Sequence, residues 1–156
     1  MIKQSTTKSF LHTQDNWKQQ KDVVTHNDVI DAYLEGKVAG RNEVNKAMVK
    51  LFETNLNKAQ ETSEELYKAI IEMGFNINSI HLKADNLTSF MVLAITDLDD
   101  YVNERFLEAI SFSRKLRQKS TEDDFNIDFL FTYKAKTLNE RCLNSDGYFL
   151  KYYGNK

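Results

Sequence analysis

The sequence has no proline and only one cysteine among its 156 residues. Without proline, no residue forces a kink by removing a backbone N–H from a helix, so long uninterrupted helices are allowed. With Cys142 alone, neither an intramolecular disulfide nor a cysteine-based metal site can form within one chain. We interpret this thiol, which has no histidine near it in the sequence, as a plain thiol and not as a nucleophile.

Long apolar runs and an excess of one charge are also absent. No stretch approaches the ~20 apolar residues that a membrane span needs, and the N-terminus lacks the apolar core of a signal peptide. We therefore expect a protein of the reducing cytoplasm with no membrane partner. The net charge of −2 provides no basic surface typical of general nucleic-acid binders, so a nucleic-acid partner is disfavoured.

Motifs of catalysis and cofactor binding are missing as well. The chain contains no glycine-rich phosphate loop, nucleophile elbow or HExxH pattern. Asp97 and Asp99, with Asp128 from a later strand, are candidate oxygen ligands for Mg²⁺. Carboxylates at the start of a helix more often cap it and complement its dipole, which is the interpretation we adopt. We expect no catalytic residue, no metal and no cofactor, and a metal-dependent enzyme is the third hypothesis.

Residues 1–26 are polar and rich in Gln, Thr and Lys, and their apolar residues show no period. This composition predicts a mobile N-terminal arm that is either disordered or ordered on a partner. In the second case the candidate docking residues are Phe10, Leu11 and Trp17. Trp17 would be the anchor, because aromatic side chains dominate interface energetics.

Residues 27–74 are predicted to form a long helical segment with Asn27 as N-cap, a hinge near Gly40 and Gly74 just after its end. From residue 52 to residue 73, steps of four and three alternate between apolar residues, with Ser63 as the one polar position, which is the spacing of a coiled coil. This heptad seam comprises Phe52, Leu56, Ala59, Leu66, Ile70 and Met73.

Two arrangements of the heptad seam are open. It packs either on the chain's own sheet or on another copy or partner. We favour the second, and with it a homo-oligomer, because the C-terminal part already supplies a helix for its sheet.

Residues 75–156 are predicted to form a ββαββ domain, in which one helix covers one face of an antiparallel sheet. Ser79 to Thr96 forms a hairpin, in which alternation predicts that His81 lies on the surface. One helix starts at Asp97, strands follow around 125–133 and 148–153, and Asp146-Gly147 marks a turn. Alternation predicts that four strand residues face the helix residues Val102, Phe106 and Ile110: Ile127, Phe129, Phe131 and Tyr133.

The predicted fold class is thus α+β, with a long N-terminal helical segment before the ββαββ domain. We expect a non-enzymatic assembly or interaction protein that oligomerises through the long helix and docks a partner through the arm. Small structural proteins of viruses and mobile elements have similar parts, which is an analogy of architecture alone. The alternative is a small regulatory module that binds a protein or nucleic acid through its sheet face. Four C-terminal aromatic residues there are candidates for stacking on bases: Tyr148, Phe149, Tyr152 and Tyr153.

Overall fold

The computed structural model describes residues 16–25, 27–36 and 43–154. These residues combine helices and strands, which confirms the predicted α+β class. In chain order the elements are β1 (Trp17–Gln19), α1 (Asp28–Leu34), α2 (Glu43–Glu72), β2 (Ile77–Ala84), β3 (Ser89–Thr96), α3 (Leu98–Tyr101), α4 (Phe106–Ser120), β4 (Asn126–Tyr133), α5 (Glu140–Ser145) and β5 (Leu150–Tyr152).

All five strands belong to one sheet, in the order β1-β5-β2-β3-β4. Three of the pairings are antiparallel, whereas β3 and β4 run parallel, with Ser89 opposite Asn126 and Thr96 opposite Tyr133. The prediction of a purely antiparallel sheet is therefore wrong. After β3, the chain returns through α3 and α4 to the end of the sheet where β3 began, and such a crossover makes the next strand parallel.

Local capping signals define the ends of two helices as the sequence predicts. The side chain of Asn27 accepts hydrogen bonds from the N–H groups of Val29 and Ile30 at 2.9 and 3.1 Å, at the start of α1. Gly74 has a φ of +96° and ends α2 by donating its N–H to the carbonyl of Ile71. A residue without a side chain adopts this left-handed conformation at little cost. The predicted hinge near Gly40 lies outside the described residues.

The main core lies between the sheet and α2 and α4. Five residues of the heptad seam have no exposed surface and pack in one cluster with Phe90 and Val92 of β3: Phe52, Leu56, Ala59, Leu66 and Ile70. Met73 is partly buried against the same cluster. Of the two arrangements that the sequence left open, the structure has the one in which the seam packs on the chain's own sheet.

The helix predicted from Asp97 onward is interrupted, because α3 ends at Tyr101 and α4 begins at Phe106. In the break, the side chain of Asn103 accepts a hydrogen bond from the N–H of Arg105 at 2.8 Å. Asparagine competes with helices through such local bonds. Val102 in this break is 66% exposed, so the prediction that it packs on β4 is wrong.

The predicted packing of β4 on a helix is confirmed for most of the strand. Ile127 and Phe129 are buried, and the ring of Phe131 meets that of Phe106 edge to face at a centroid distance of 5.4 Å. Tyr133 is 39% exposed and only partly fulfils the prediction. The alternating apolar residues of β4 thus lie on one face of the strand, and most of this face is buried.

Candidate functional site

Trp17, the predicted anchor of the N-terminal arm, lies inside the molecule and is 5% exposed. Its Nε1 donates a hydrogen bond to Glu64 Oε2 at 2.8 Å, and its ring lies 5.0 Å from the ring of Tyr152. These contacts join β1 to α2 and β5, so Trp17 has a structural role here. Phe10 and Leu11 lie outside the described residues.

The acidic residues around the start of α3 are bonded to the chain itself. Asp97 accepts hydrogen bonds from the side-chain amides of Asn78 and Asn76 at 3.1 and 3.5 Å, and Asp100 accepts the N–H of Asn76 at 2.8 Å. Asp97 is the N-cap residue of α3, and Asp99 and Asp100 lie in the first turn as predicted, but the side chain of Asp97 makes no capping hydrogen bond. Within the described residues, no three or more His, Cys, Asp or Glu side chains form a group that would hold a metal ion.

His81 is 3% exposed, which contradicts the prediction of a surface residue. Its Nε2 lies 2.9 Å from Ser79 Oγ, and its ring packs edge to face on Tyr148. Burial, aided by the positive charge of Lys151, lowers the pKa of His81 to about 4. The alternation that predicted exposure is present, but Tyr148 covers this face of the sheet.

The pair of Ser79 and His81 lines a cavity of about 210 Å³, beside an ion pair of Lys151 and Glu140 at 3.1 Å. A serine next to a histidine is the first requirement of a nucleophilic site. A histidine with a pKa near 4 is a weak base at neutral pH, however, and efficient general bases have a pKa near the working pH. We interpret the contact as structural: the hydroxyl of Ser79 provides a hydrogen-bond partner for the buried imidazole of His81.

Three of the four C-terminal aromatic residues are buried and have no face on which a base could stack. Tyr148, Phe149 and Tyr152 are at most 5% exposed, and Tyr153 alone among the four is substantially exposed. Base stacking requires an accessible aromatic face. The face of the sheet that carries Tyr148 is also partly covered, because Leu143 of α5 packs with Tyr148 against β3.

Exposed large apolar side chains concentrate instead around α3, the start of α4 and β4. Six of the nine in the described chain lie there: Leu98, Tyr101, Val102, Leu107, Leu130 and Tyr133. The rings of Tyr101 and Tyr133 are in contact at a centroid distance of 5.5 Å. Clustered apolar side chains on a surface mark sites of interaction.

A groove of about 240 Å³ lies between α4 and the outer edge of β4, and we name it the edge groove. Its helical side is formed by residues of α3 and α4, and its other side by β4. The lining residues are Tyr101, Ile110, Ser113, Arg114, Arg117, Asp128, Phe129, Leu130 and Phe131. None of them is one of the candidate docking or interface residues that the sequence predicted.

Strand β4 lines one side of the edge groove, and in the described part of the chain it is the last strand of the sheet. Asn126 and Lys134 donate their N–H groups toward β3, to the carbonyls of Thr88 and Thr96. Because backbone groups alternate along a strand, the odd-numbered residues from Ile127 to Tyr133 direct theirs away from β3.

One of these outward groups is occupied by the strand's own side chain. The N–H of Phe129 donates to Asp128 Oδ1 at 2.9 Å, and the same oxygen lies 3.2 Å from Arg117 Nη1. Arg114, one helical turn before Arg117, forms no ion pair with any described residue. The groove thus has an apolar end at Tyr101 and Leu130 and a positively charged end at the two arginines.

No protein-family model, curated protein or solved structure matches this chain. None of the helices in the described ranges has the length and apolar character to cross a membrane.

Proposed function

We propose that this protein is a non-enzymatic interaction protein that binds a partner protein through the edge groove. The observation that carries the proposal is an eight-residue edge strand whose outward backbone groups lie beside exposed apolar side chains. An open strand edge is a template for pairing with another chain, and proteins usually block it. Within the ranges that the structure describes, the only outward N–H of β4 that is blocked is that of Phe129, which donates to the strand's own Asp128.

The homo-oligomer expected from the heptad seam is not part of this proposal. Five of its six side chains are buried against the sheet, so an interface with a second copy would first have to expose them. Exposing one buried Leu, Ile or Phe side chain costs about 1.5–3 kcal/mol. Docking through Phe10 and Leu11 of the arm remains a prediction.

Enzymatic activity and binding through the sheet face are less well supported. The buried imidazole of His81 is a weak base, and Asp97 of the candidate magnesium site accepts a hydrogen bond from the side-chain amide of Asn78. The aromatic residues on the sheet are mostly buried. The edge groove has accessible backbone, apolar surface and charge together, which are the elements of peptide recognition.

Site-specific photocrosslinking tests the proposal. A photoreactive phenylalanine analogue is placed at Leu130 or Tyr133, and at Ile71 as a control of matched exposure, 40% against 39% for Tyr133. In extract of the native cells, we expect Leu130 and Tyr133 to crosslink to the same protein and Ile71 to crosslink to none. Equal crosslinking from all three positions, or no crosslinking from Leu130 and Tyr133, would contradict the proposal.

A further inference from the structure

We infer that the partner of the edge groove is an extended acidic segment, which adds to the sheet as a sixth strand beside β4 and places a carboxylate on Arg114. This inference rests on the proposed function and specifies its partner. It is carried by three observations, namely the direction of the backbone groups of β4, the distribution of apolar side chains along the groove, and the charge at its end.

In the C-terminal half of β4, both outward N–H groups are without a partner among the described residues. The N–H of Phe129 is already bonded to Asp128, whereas Phe131 and Tyr133 direct their N–H groups outward. An added strand would therefore accept from Phe131 and Tyr133 and donate to the carbonyls of Phe129 and Phe131. Such main-chain bonds give affinity without selecting a sequence.

Side chains along the groove provide the selection. Residues of an added strand point alternately to the two faces of the sheet. On the face that carries α4 they would meet Ile110 and Tyr101, and on the other face they would meet Leu130, which is 49% exposed. A segment with apolar residues on both faces near Phe131 therefore covers surface that is now in contact with water.

Charge distinguishes a foreign acidic segment from a second copy of this chain. Arg114 has no anionic partner among the described residues. Arg117 has one there, Asp128, with which it forms an ion pair. A second copy that paired through its own β4 would bring a single carboxylate on that strand, and this carboxylate is already bonded to its own Arg117. A carboxylate from another protein supplies the missing charge.

A library of displayed random eight-residue peptides, selected on the whole protein, tests the inference. We expect the enriched peptides to contain adjacent apolar residues, which cover both faces of the sheet near Phe131, and to contain Asp or Glu. The strongest peptide is then synthesised with a fluorescent label, together with its Glu→Gln or Asp→Asn analogue, and its Kd is measured by fluorescence anisotropy. Arg114→Gln should weaken the acidic peptide about fivefold and leave the neutral analogue unchanged.

Two further variants make the charge test specific. Lys115→Gln removes a neighbouring positive charge from α4 outside the groove and should leave the Kd unchanged. Asp128→Asn keeps an acceptor for the N–H of Phe129 but releases Arg117 from its ion pair, so binding of the acidic peptide should become about two- to fivefold tighter. Equal losses in Arg114→Gln and Lys115→Gln would overturn the role of Arg114.

Amide hydrogen exchange by NMR tests strand addition directly. Saturating peptide should slow exchange at Phe131 and Tyr133, and Thr132, whose N–H faces β3, should change little. Peptides that bind without protecting these two amides, or that lack acidic residues, would overturn the inference while leaving an interaction through the groove intact. Failure to select any peptide would count against both the inference and the proposed function. A dimer in sedimentation with the same two amides protected would identify a second copy as the occupant.

Discussion

At the scale of single residues, His81 shows how a correct local rule leads to a wrong environment. Strand alternation correctly puts His81 on the face of β2 opposite Ile80 and Leu82, but a segment about seventy residues later in the chain covers that face. The ring of Tyr148 packs on the imidazole, and Ser79 provides its hydrogen bond. Burial then makes the charged imidazole unfavourable.

This burial predicts a specific dependence of stability on pH. The pKa of His81 is about 4 in the folded chain and about 6.5 when unfolded. Between these values only the unfolded state binds the proton, so the contribution is complete above pH 6.5 and is lost as the pH falls toward 4. Between pH 7 and pH 5 the free energy of unfolding should fall about 2 kcal/mol more in the wild type than in His81→Gln.

Urea unfolding of both proteins at pH 7 and pH 5 measures this difference. The comparison between the two proteins cancels the effect of the carboxylates, which they share. An equal loss of stability in the two proteins would mean that folding does not lower the pKa of His81.

At the scale of secondary-structure elements, α2 shows what a heptad seam does and does not specify. Its 30 residues contain no proline or glycine, and the helix ends where Gly74 permits a left-handed turn. A spacing of three and four marks one apolar face, and this face suits a coiled coil and a helix that lies on a sheet equally well. In this chain the apolar face of α2 packs on the β-sheet.

Truncation within the seam should therefore destabilise the fold without changing its mass in solution. Leu66 is completely buried, and Leu66→Ala should lower the free energy of unfolding by about 2–5 kcal/mol. Leu107→Ala is the control, because Leu107 is 67% exposed and should lose less than about 0.5 kcal/mol. Denaturant unfolding gives both values. If Leu66→Ala changes the mass in sedimentation and barely affects unfolding, the seam is an interface between chains.

At the scale of the whole molecule, β1 joins the N-terminal segment to the rest of the core. Residues Trp17, Lys18 and Gln19 pair with Tyr152, Lys151 and Leu150 of β5, close to the other end of the described chain. The polar composition of residues 1–26 predicted a mobile arm for this region. Three residues, one of them a buried tryptophan, are enough to make part of it a strand of the sheet.

Removing the indole of Trp17 should therefore weaken the whole fold. We expect Trp17→Ala to lower the free energy of unfolding by about 3–5 kcal/mol, because the indole is buried and its hydrogen bond to Glu64 is lost. Lys18→Ala, at the adjacent exposed position, should have an effect of less than about 0.5 kcal/mol. Thermal unfolding of the two variants is compared by far-UV circular dichroism, which follows the backbone and does not require the tryptophan. Equal midpoints would show that β1 contributes little to the core.

The sequence by itself determined the features that depend on neighbours a few residues apart. These are the cap at Asn27, the end of α2 at Gly74, the alternation along β4 and the mixture of helices and strands. Backbone sterics and local hydrogen bonds act within one turn of helix or a few strand residues. The residues nearby in the sequence are therefore enough to predict these features.

Only the tertiary structure decided which elements meet. The contact of Trp17 with Glu64 spans 47 residues, the parallel pairing of β3 with β4 depends on how the chain returns through α3 and α4, and the edge groove combines two helices with a strand. An apolar face reports that it will be buried but not against what, because the hydrophobic effect is not directional. The packing of the whole chain also decided that β4 is the last strand of the sheet in the described ranges. Its outer edge therefore has no neighbouring strand there.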